Sequence, residues 1–236
     1  MIPAAALDFL RALAAHNEKP WFEANRPTYE SAVRQPVAAL VASVSALLAQ
    51  RGLPLEGDPK RSSFRIHRDV RFSHDKRPYK THVGSVWYRQ GSGKNGAGIL
   101  YFHLDPAGSF AAAAFYHPEP EVLDSIRERI RVRPEQFQAV EAALAASKLR
   151  LSEADTLSRM PKGFEDLKAS PVAASLRLKS FLVRRDLTDR QLTGRKLAAT
   201  IVDLAADAMP LLRFGWAAVD EVTSQSPSPA GGRGQG

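Results

Sequence analysis

Apolar residues recur at helical spacing through the first part of the chain. Leucines three residues apart predict an amphipathic helix over residues 3–16, and a second apolar stripe predicts a helix over residues 37–50. Pro20 can occupy the first turn of an intervening helix, where a backbone amide has no helical partner in any case. Pro27 and Pro36 are expected to kink or restart that helix because each lacks an amide donor.

The apolar period shortens to two residues in the middle of the chain. Alternation over residues 63–70 predicts a half-buried strand that directs Phe64 and Ile66 to one side and polar residues to the other. Three further apolar runs with short links predict strands at residues 83–89, 99–104 and 110–116. Consecutive strands joined by short turns favour an antiparallel sheet.

Helical spacing returns beyond residue 120. It predicts helices over residues 121–131, 134–147, 171–178, 188–209 and 210–222, with one more strand at 180–185. Thr188 and Gln191 form a capping-box pattern. This order of elements indicates an α+β fold, with a central antiparallel sheet flanked by N-terminal and C-terminal helices. We expect a single α+β domain over residues 1–222 and a disordered Ser/Pro/Gly-rich tail over residues 223–236.

Cysteine is absent from the sequence, which excludes disulfides, thiolate metal sites, iron–sulfur clusters and cysteine nucleophiles. No targeting segment is visible, and no window contains the ~18 consecutive apolar residues that a membrane-spanning helix needs. These features predict a cytoplasmic protein with no membrane partner. They do not determine the oligomeric state.

Positive charge is concentrated in the middle of the chain. The formal net charge is +8, and residues 58–94 contain ten Lys or Arg against three acidic residues. Five of the six histidines, at positions 67, 74, 82, 103 and 117, fall in or just after this stretch. A local field of one sign attracts anionic partners. The alternative is a solvated face that keeps the protein soluble, although such a run rarely alternates with large aromatic residues as this one does.

The basic segment has the side chains that bind an anion. Arg offers two parallel donors to a phosphate or carboxylate, and Lys offers a point charge. Strand alternation would place four of its residues on one face, namely Arg65, His67, Asp69 and Arg71. We predict that an anionic small molecule or a phosphate group binds at Arg65, Arg68, Arg71, Lys76 and Lys80.

If the protein is an enzyme, a histidine is the expected proton-transfer group because it titrates near neutral pH. His67 and His82 are the candidates, and Asp69 would orient one of them or a neighbouring Arg. A metal site is not predicted, because about ten nearby cations would repel the ion from the individually suitable ligands His67, Asp69, His82, His103 and His117. No cofactor is indicated, since the Gly-rich run at residues 91–98 lacks the full phosphate-loop pattern and predicts a hairpin loop.

Two other interpretations of the basic segment stay open. A nucleic-acid-binding module would stack bases on exposed aromatic residues of the sheet, for which the candidates are Tyr79, Trp87, Tyr88 and Tyr101. A structural interpretation makes the segment an internal ion-pair network that fixes a turn, formed by Arg68, Asp69, Arg71 and Asp75. Replacing Arg68 and Arg71 with Gln would abolish anion binding under the first hypothesis and folding under the structural one.

The basic segment also carries a family resemblance. The pattern Asn17-x-Lys19-x-Trp21-Phe22 is followed by Arg65-Ile66-x-Arg68-Asp69-x-Arg71-Phe72-Ser73-x-Asp75-Lys76-x-Pro78-Tyr79-Lys80-Thr81, and later by Met160-Pro161-Lys162-Gly163-Phe164. These motifs resemble the family of conserved hypothetical proteins known as domain of unknown function 2461, over about residues 5–221. Membership implies a cytoplasmic bacterial protein and no established activity.

Overall fold

Three helices open the chain. The computed structural model describes residues 1–93 and 96–225, and it begins with α1 (Ala4–Ala15), α2 (Lys19–Thr28) and α3 (Gln35–Gln50). A π-helical turn over Tyr29–Arg34 joins α2 to α3, so the helical path continues from one into the other. The spacing of the leucines therefore predicted α1 correctly, and the second apolar stripe predicted α3.

The prolines in this stretch do not end the helix. Pro27 lies within α2, and Pro36 occupies the first turn of α3. In the π-helical turn the amide of Gln35 donates to the carbonyl of Glu30, five residues back. This wider spacing gives the Pro36 ring the room that a regular helix denies it. The expected interruption is thus a wider turn, not a break.

The helical stretch Lys19–Gln50 is long and apolar enough, by length and hydropathy alone, to cross a membrane. Its apolar side chains are nevertheless buried against the rest of the protein, including Phe22, Val33, Val37, Leu40, Val41, Val44 and Leu48. The core helix of a soluble protein passes the same test. Burial of its apolar side accounts for the composition of this helix, and the α+β fold is of the soluble type.

One antiparallel sheet follows the helices. Its strands are β1 (Leu55–Glu56), β2 (Val83–Arg89), β3 (Ile99–Leu104), β4 (Ser109–Phe115) and β5 (Phe181–Leu187). They lie side by side in the order β1-β2-β3-β4-β5, each antiparallel to its neighbour. The hairpin predicted around residues 91–98 joins β2 to β3, although residues 94 and 95 lie outside the described residues.

The sheet has one buried face and one open face. Along β3, Leu100, Phe102 and Leu104 are buried, whereas Tyr101 and His103 alternate with them and point to the opposite side. β4 does not alternate in burial: Ala111, Ala112, Ala113 and Ala114 are all buried, and of these Ala112 and Ala114 lie on the open face. The open face is the one that contains polar and titratable side chains.

Helices from the second half of the chain complete the layer over the buried face. These are α4 (Pro120–Val132), α5 (Pro134–Ala146), α6 (Ala173–Leu176), α7 (Asp189–Leu192), α8 (Leu197–Asp207) and α9 (Met209–Gln225). α9 packs against α4, α5 and β4, while α8 packs against α3 and β4. N-terminal and C-terminal helices therefore meet over the sheet, which confirms the predicted α+β class.

The prediction of a strand over residues 63–70 is wrong. This segment is extended, but it pairs only through isolated bridges, Ser63 with Ser85 and His67 with Tyr79. Alternation of apolar and polar residues with a period of two indicates an extended chain that is buried on one side. An extended loop can be buried in this way as well as a strand can. The two-residue strand β1 was not among the predicted strands.

The other differences concern the ends of helices. The capping box is confirmed, because Thr188 accepts from the amide of Gln191 and Gln191 Oε1 accepts from the amide of Thr188. The helix predicted from this cap to residue 209 is divided into α7 and α8 by a turn that contains Gly194. α9 continues to Gln225, and the rest of the predicted tail, residues 226–236, lies outside the described residues.

Gly215 generates a prediction about packing. A Cβ at this position of α9 would overlap the buried ring of Phe115 on β4. Alanine gains about 1 kcal/mol over glycine in a helix, but overpacking a core costs about 1–3 kcal/mol. We expect Gly215→Ala to lower the free energy of unfolding by ~1 kcal/mol in urea denaturation. Arg213→Ala, at an exposed position of the same helix, is the control and should change it by less than ~0.5 kcal/mol. Stabilisation by Gly215→Ala would contradict this packing.

Candidate functional site

Residues 62–80, called the basic loop below, leave the sheet edge and return to it. The amide of Phe64 donates to the carbonyl of Gly84 at 2.9 Å, so the outgoing arm starts alongside β2. The amides of Arg68 and Lys80 then donate to carbonyls of the opposite arm, both at 2.8 Å. The two arms pair with each other, and this places Arg65 and Lys80 near the open face of the sheet.

A side chain from the helical layer holds the returning arm. Asn17 lies between α1 and α2, and its Nδ2 donates to the carbonyl of Tyr79 at 3.0 Å while its Oδ1 accepts from the amide of Tyr79 at 3.0 Å. The Tyr79 ring is buried and stacks on Phe22 with the ring centroids 4.1 Å apart. The side-chain amide of Asn17 thus pairs with the backbone of Tyr79 as a residue of a neighbouring strand would, and it fixes the position of the loop.

Ion pairs close the outer part of the basic loop. Arg68 Nη1 lies 2.7 Å from Asp75 Oδ2 and 3.2 Å from the carbonyl oxygen of Arg77. The Arg77 guanidinium also bonds to Asp75, with Nη2 at 2.8 Å from Oδ2. Hydrogen bonds from Arg77 and then Arg68 hold the pKa of Asp75 far below its usual range. The carboxylate therefore stays charged and the turn stays cross-linked throughout the neutral range.

Two more cations of the loop are engaged locally. Arg71 Nη2 lies 2.6 Å from Asp69 Oδ2, and the hydrogen bond from Arg71 lowers the pKa of Asp69. Lys76 Nζ donates to the carbonyl of Val70 at 3.1 Å. The positive charge of the outer loop is thus largely matched by its own carboxylates and carbonyls.

The open face of the sheet carries a cavity of about 620 Å³. Rings and apolar side chains form most of its wall, and the two small residues Ala112 and Ala114 of β4 form part of its floor. Gly84 also lines the cavity. A side chain would not fit at this position, because a Cβ there would lie 2.5 Å from the hydroxyl oxygen of Tyr101. The lining is Phe64, Arg65, Lys80, His82, Gly84, Ile99, Tyr101, His103, Phe110, Ala112, Ala114, Tyr116, Ser152, Leu182 and Arg184.

Three cations line this cavity, and they differ in their partners. Arg184 bonds to Asp186, with Nε 3.0 Å from Oδ1, and its guanidinium lies 4.5 Å from the centroid of the Phe110 ring. Within residues 1–93 and 96–225, neither Arg65 nor Lys80 forms an ion pair with a carboxylate. Burial and the nearby charge of Arg65 lower the pKa of Lys80. Two like charges thus line the cavity without forming an ion pair in the described part of the chain, although the charge of Arg65 also helps to lower the pKa of Asp69.

Two histidines and an aspartate meet beside these cations. The register pairs Gly84 of β2 with His103 of β3, so His82 and Asp105 extend the ladder on the same face by one pair of positions. The imidazole rings of His82 and His103 have their centroids 4.7 Å apart, and His103 Nε2 lies 3.5 Å from Asp105 Oδ2. One ligand atom from each of the three residues lies within 4.8 Å of the others.

Both imidazoles are shielded from water. Burial lowers the pKa of His82, and the charge of His103 lowers it further. Burial also lowers the pKa of His103, although Asp105 opposes that effect. The Tyr101 hydroxyl lies 3.0 Å from His103 Nδ1 and fixes the orientation of the ring. Both histidines are therefore neutral at pH 7, and each has a lone pair for a proton or a ligand.

The structure divides the predicted site residues into two groups. Arg65, Lys80 and His82 meet at the cavity. The other predicted anion ligands, Arg68, Arg71 and Lys76, lie in the outer loop with the partners described above. The expectation that Arg65, His67, Asp69 and Arg71 share one face of a strand is wrong, because the segment is not a strand.

The predicted catalytic residues other than His82 lie outside the cavity lining. His67 is exposed, and its ring lies near Phe22 and Tyr79, with centroids 6.1 and 5.1 Å away. Asp69 is paired with Arg71. Neither side chain orients His82.

The aromatic residues proposed for base stacking are partly removed from the surface. Trp87 is fully buried and donates from Nε1 to the carbonyl of Val41 at 3.3 Å, and Tyr79 is buried against Phe22. Tyr101 lies in the cavity wall. The most exposed large ring is that of Phe72, which is 95% exposed at the tip of the basic loop.

Sequence reasoning missed several residues of the cavity. Tyr101 was considered for nucleic acid and His103 for metal, but neither was placed with His82, and Asp105 and Arg184 were not singled out. A usable signal was present, since Tyr101 and His103 share a face of β3 and Asp105 follows at the same spacing of two residues, just beyond the end of the strand. The register that brings them to His82 required the structure.

The chain belongs to the family whose model is described as Conserved hypothetical protein (DUF2461), which matches residues 5–214. The resemblance found in the motifs is therefore confirmed. No curated protein and no solved structure matches the chain. The family description states no activity, so the function has to be argued from the geometry of the cavity.

The contact between Asn17 and Tyr79 generates a prediction about the basic loop. Asn17→Ala leaves two part-buried backbone groups without partners, and we expect it to lower the free energy of unfolding by about 2 kcal/mol in urea denaturation. Trypsin should also cleave the basic loop faster. Asn25→Ala is the matched control, because its amide makes one local bond to the carbonyl of Trp21 within a helix. Equal effects of the two substitutions would contradict a clamping role for Asn17.

Proposed function

We propose that this member of the conserved hypothetical family binds an anionic small molecule at Arg65 and Lys80, with the rest of the ligand in the cavity on the open face of the sheet. One observation carries the proposal: two cations without carboxylate partners in the described residues face a cavity of about 620 Å³ with mostly aromatic and apolar walls. A volume of this order suits a small organic ligand or cofactor.

Electrostatics explains why an anion fits there. Burial of Lys80 lowers its pKa, and repulsion from the nearby positive charge of Arg65 lowers it further. A phosphate or carboxylate placed between Arg65 and Lys80 would relieve this repulsion and accept charge-assisted hydrogen bonds from both. The outer cations do not offer this gain, since Arg68 and Arg71 already have carboxylate partners.

The walls of the cavity indicate the rest of the ligand. Tyr101, Phe110 and Tyr116 present rings to it, and Ile99 and Leu182 present aliphatic side chains. Such a surface gains free energy by covering an apolar or planar group. We therefore infer a ligand with an anionic end and an aromatic or otherwise apolar body.

For the outer part of the basic loop we infer a structural role. The hydrogen bonds of Arg68 support this role: its guanidinium donates to Asp75, to Ser73 Oγ at 3.4 Å and to the carbonyl of Arg77. These contacts close the turn and thereby hold the arms that bear Arg65 and Lys80. In this proposal the basic segment has two functions, separated along the chain.

If the bound molecule reacts, His82 is the proton-transfer group that the cavity offers. It is neutral near pH 7 and lies in the lining close to Lys80, whereas His67 does not line the cavity. We place the protein in the cytoplasm, which fits the absence of cysteine and the soluble type of fold.

Phenyl phosphate is a suitable probe because it combines an anion with a planar apolar body. We expect isothermal titration calorimetry to detect its binding to the wild-type protein, more tightly than that of inorganic phosphate. Arg65→Gln and Lys80→Gln should each weaken binding by about 10-fold to 100-fold, the equivalent of one charge-assisted hydrogen bond. Arg71→Gln is the control, since this side chain is 76% exposed, is paired with Asp69 and should bind the probe as the wild type does.

Two outcomes would overturn the proposal. One is a double Arg65→Gln/Lys80→Gln variant that is folded by circular dichroism and binds phenyl phosphate as well as the wild type. The other is a wild-type protein that binds no phenyl phosphate at millimolar concentration. Fluorescence anisotropy with a labelled single-stranded oligonucleotide at two salt concentrations tests the nucleic-acid alternative, which predicts an affinity that falls steeply with salt.

A further inference from the structure

His82, His103 and Asp105 form a cluster of possible metal ligands, and the proposed anion site at Arg65 and Lys80 does not account for their arrangement. One ligand atom from each lies within 4.8 Å of the others, on neighbouring positions of β2, β3 and the turn after β3. In a tetrahedral site with bonds of 2.0–2.1 Å, two ligand atoms are about 3.4 Å apart. The 3.5 Å between His103 Nε2 and Asp105 Oδ2 already has this length, and a rotation of the His82 side chain would complete the set.

The surroundings of the donors orient them for coordination. The Tyr101 hydroxyl engages His103 Nδ1, which leaves Nε2 directed at Asp105. Asp105 Oδ1 accepts from the amide of Ala107 at 2.8 Å, which leaves Oδ2 available. Hydrogen bonds of this kind to the remote nitrogen of a histidine and the second oxygen of a carboxylate are the usual second layer of a metal site.

The charge balance permits a cation in spite of the nearby basic residues. Histidine binds a metal ion as the neutral imidazole, Asp105 supplies one negative charge, and Arg184 is paired with Asp186. A divalent ion held by these three residues would leave the complex with a net charge of about +1. That charge would add to the attraction of the cavity for an anion.

We propose that His82, His103 and Asp105 bind one divalent transition-metal ion of the Zn²⁺ class, with its remaining coordination positions open to the cavity. Two histidines and one carboxylate with open positions are typical of catalytic metal sites rather than of closed structural ones. The two histidine ligands line the cavity, so an oxygen atom of a bound anion can reach the ion. The site does not depend on binding of the anion, because its three ligands are distinct from Arg65 and Lys80. A bound ion would occupy a ring nitrogen of His82, so the proton-transfer role proposed above for His82 applies to the metal-free protein.

The test uses the full chain, freed of any affinity tag and treated with a chelator that is then removed. Titration with ZnCl₂ in a calorimeter should show one equivalent of tight binding, and CoCl₂ should give a visible absorption spectrum that Zn²⁺ abolishes. His82→Ala, His103→Ala and Asp105→Asn should each remove the tight equivalent. Tyr101→Phe should keep it and weaken it by about 10-fold to 100-fold, as expected for a residue that orients a ligand.

His74→Ala is the control, since His74 is an exposed histidine of the basic loop and should leave metal binding unchanged. Circular dichroism establishes that each variant is folded, and Asp105→Asn keeps the shape of the side chain should an alanine variant fail to fold. Absence of a tight equivalent in the wild type would overturn the inference. So would tight binding that survives in Asp105→Asn and in a folded His82→Ala or His103→Ala variant.

A double Arg65→Gln/Lys80→Gln variant separates the two proposals. It should lose phenyl phosphate at the cation pair and still bind one Zn²⁺. Zn²⁺ binding without phenyl phosphate binding in the wild type would leave the metal site standing and remove the anion site. Phenyl phosphate binding without Zn²⁺ binding in the wild type would leave the anion site standing and remove the metal site.

Discussion

The paired hydrogen bonds between Asn17 and the backbone of Tyr79 are the constraint on which the candidate site depends. The basic loop has no regular ladder to the sheet: its outgoing arm meets β2 at the bridge of Ser63 with Ser85 and the bonds beside it, and the bridge of His67 with Tyr79 joins the two arms to each other. Asn17 therefore ties the returning arm to the helical layer, and the stacking of Tyr79 on Phe22 buries the same point. Lys80 follows Tyr79 directly, so the contacts of Tyr79 with Asn17 and Phe22 also fix the position of Lys80 at the cavity.

The elements that depend on burial were predictable from the sequence. Strands 83–89 and 99–104 were predicted with the bounds they have, because both are apolar runs bounded by short links. In the structure 99–104 alternates in burial, whereas the first five residues of 83–89 are all buried. The segment 63–70 shows the limit of the same signal. Its alternation holds only in part, since Ile66 is buried and Arg65 and His67 are exposed, whereas Phe64, predicted on the side of Ile66, is 42% exposed. Hydrogen bonding to a neighbouring strand leaves no trace in the sequence.

The site was predictable in composition and not in arrangement. Local charge identified Arg65, Lys80 and His82, which do meet. It also identified Arg68 and Arg71, whose carboxylate partners lie seven and two residues away and were visible as an ion-pair alternative. His103 of β3 and Asp105, just beyond it, are brought beside His82 by the register of the sheet, and Arg184 of β5 enters the same cavity lining.

The alanines of β4 have a consequence for selectivity. Ala112 and Ala114 lie under the cavity, so its depth is determined by missing side-chain volume and not by a polar contact. A larger residue at either position would shorten the space for the body of a ligand while leaving Arg65, Lys80 and the histidines in place. Under the proposed function, size selectivity and charge selectivity would be encoded at separate positions, and related chains could diverge in the molecules they accept while keeping a common way of holding the anionic end.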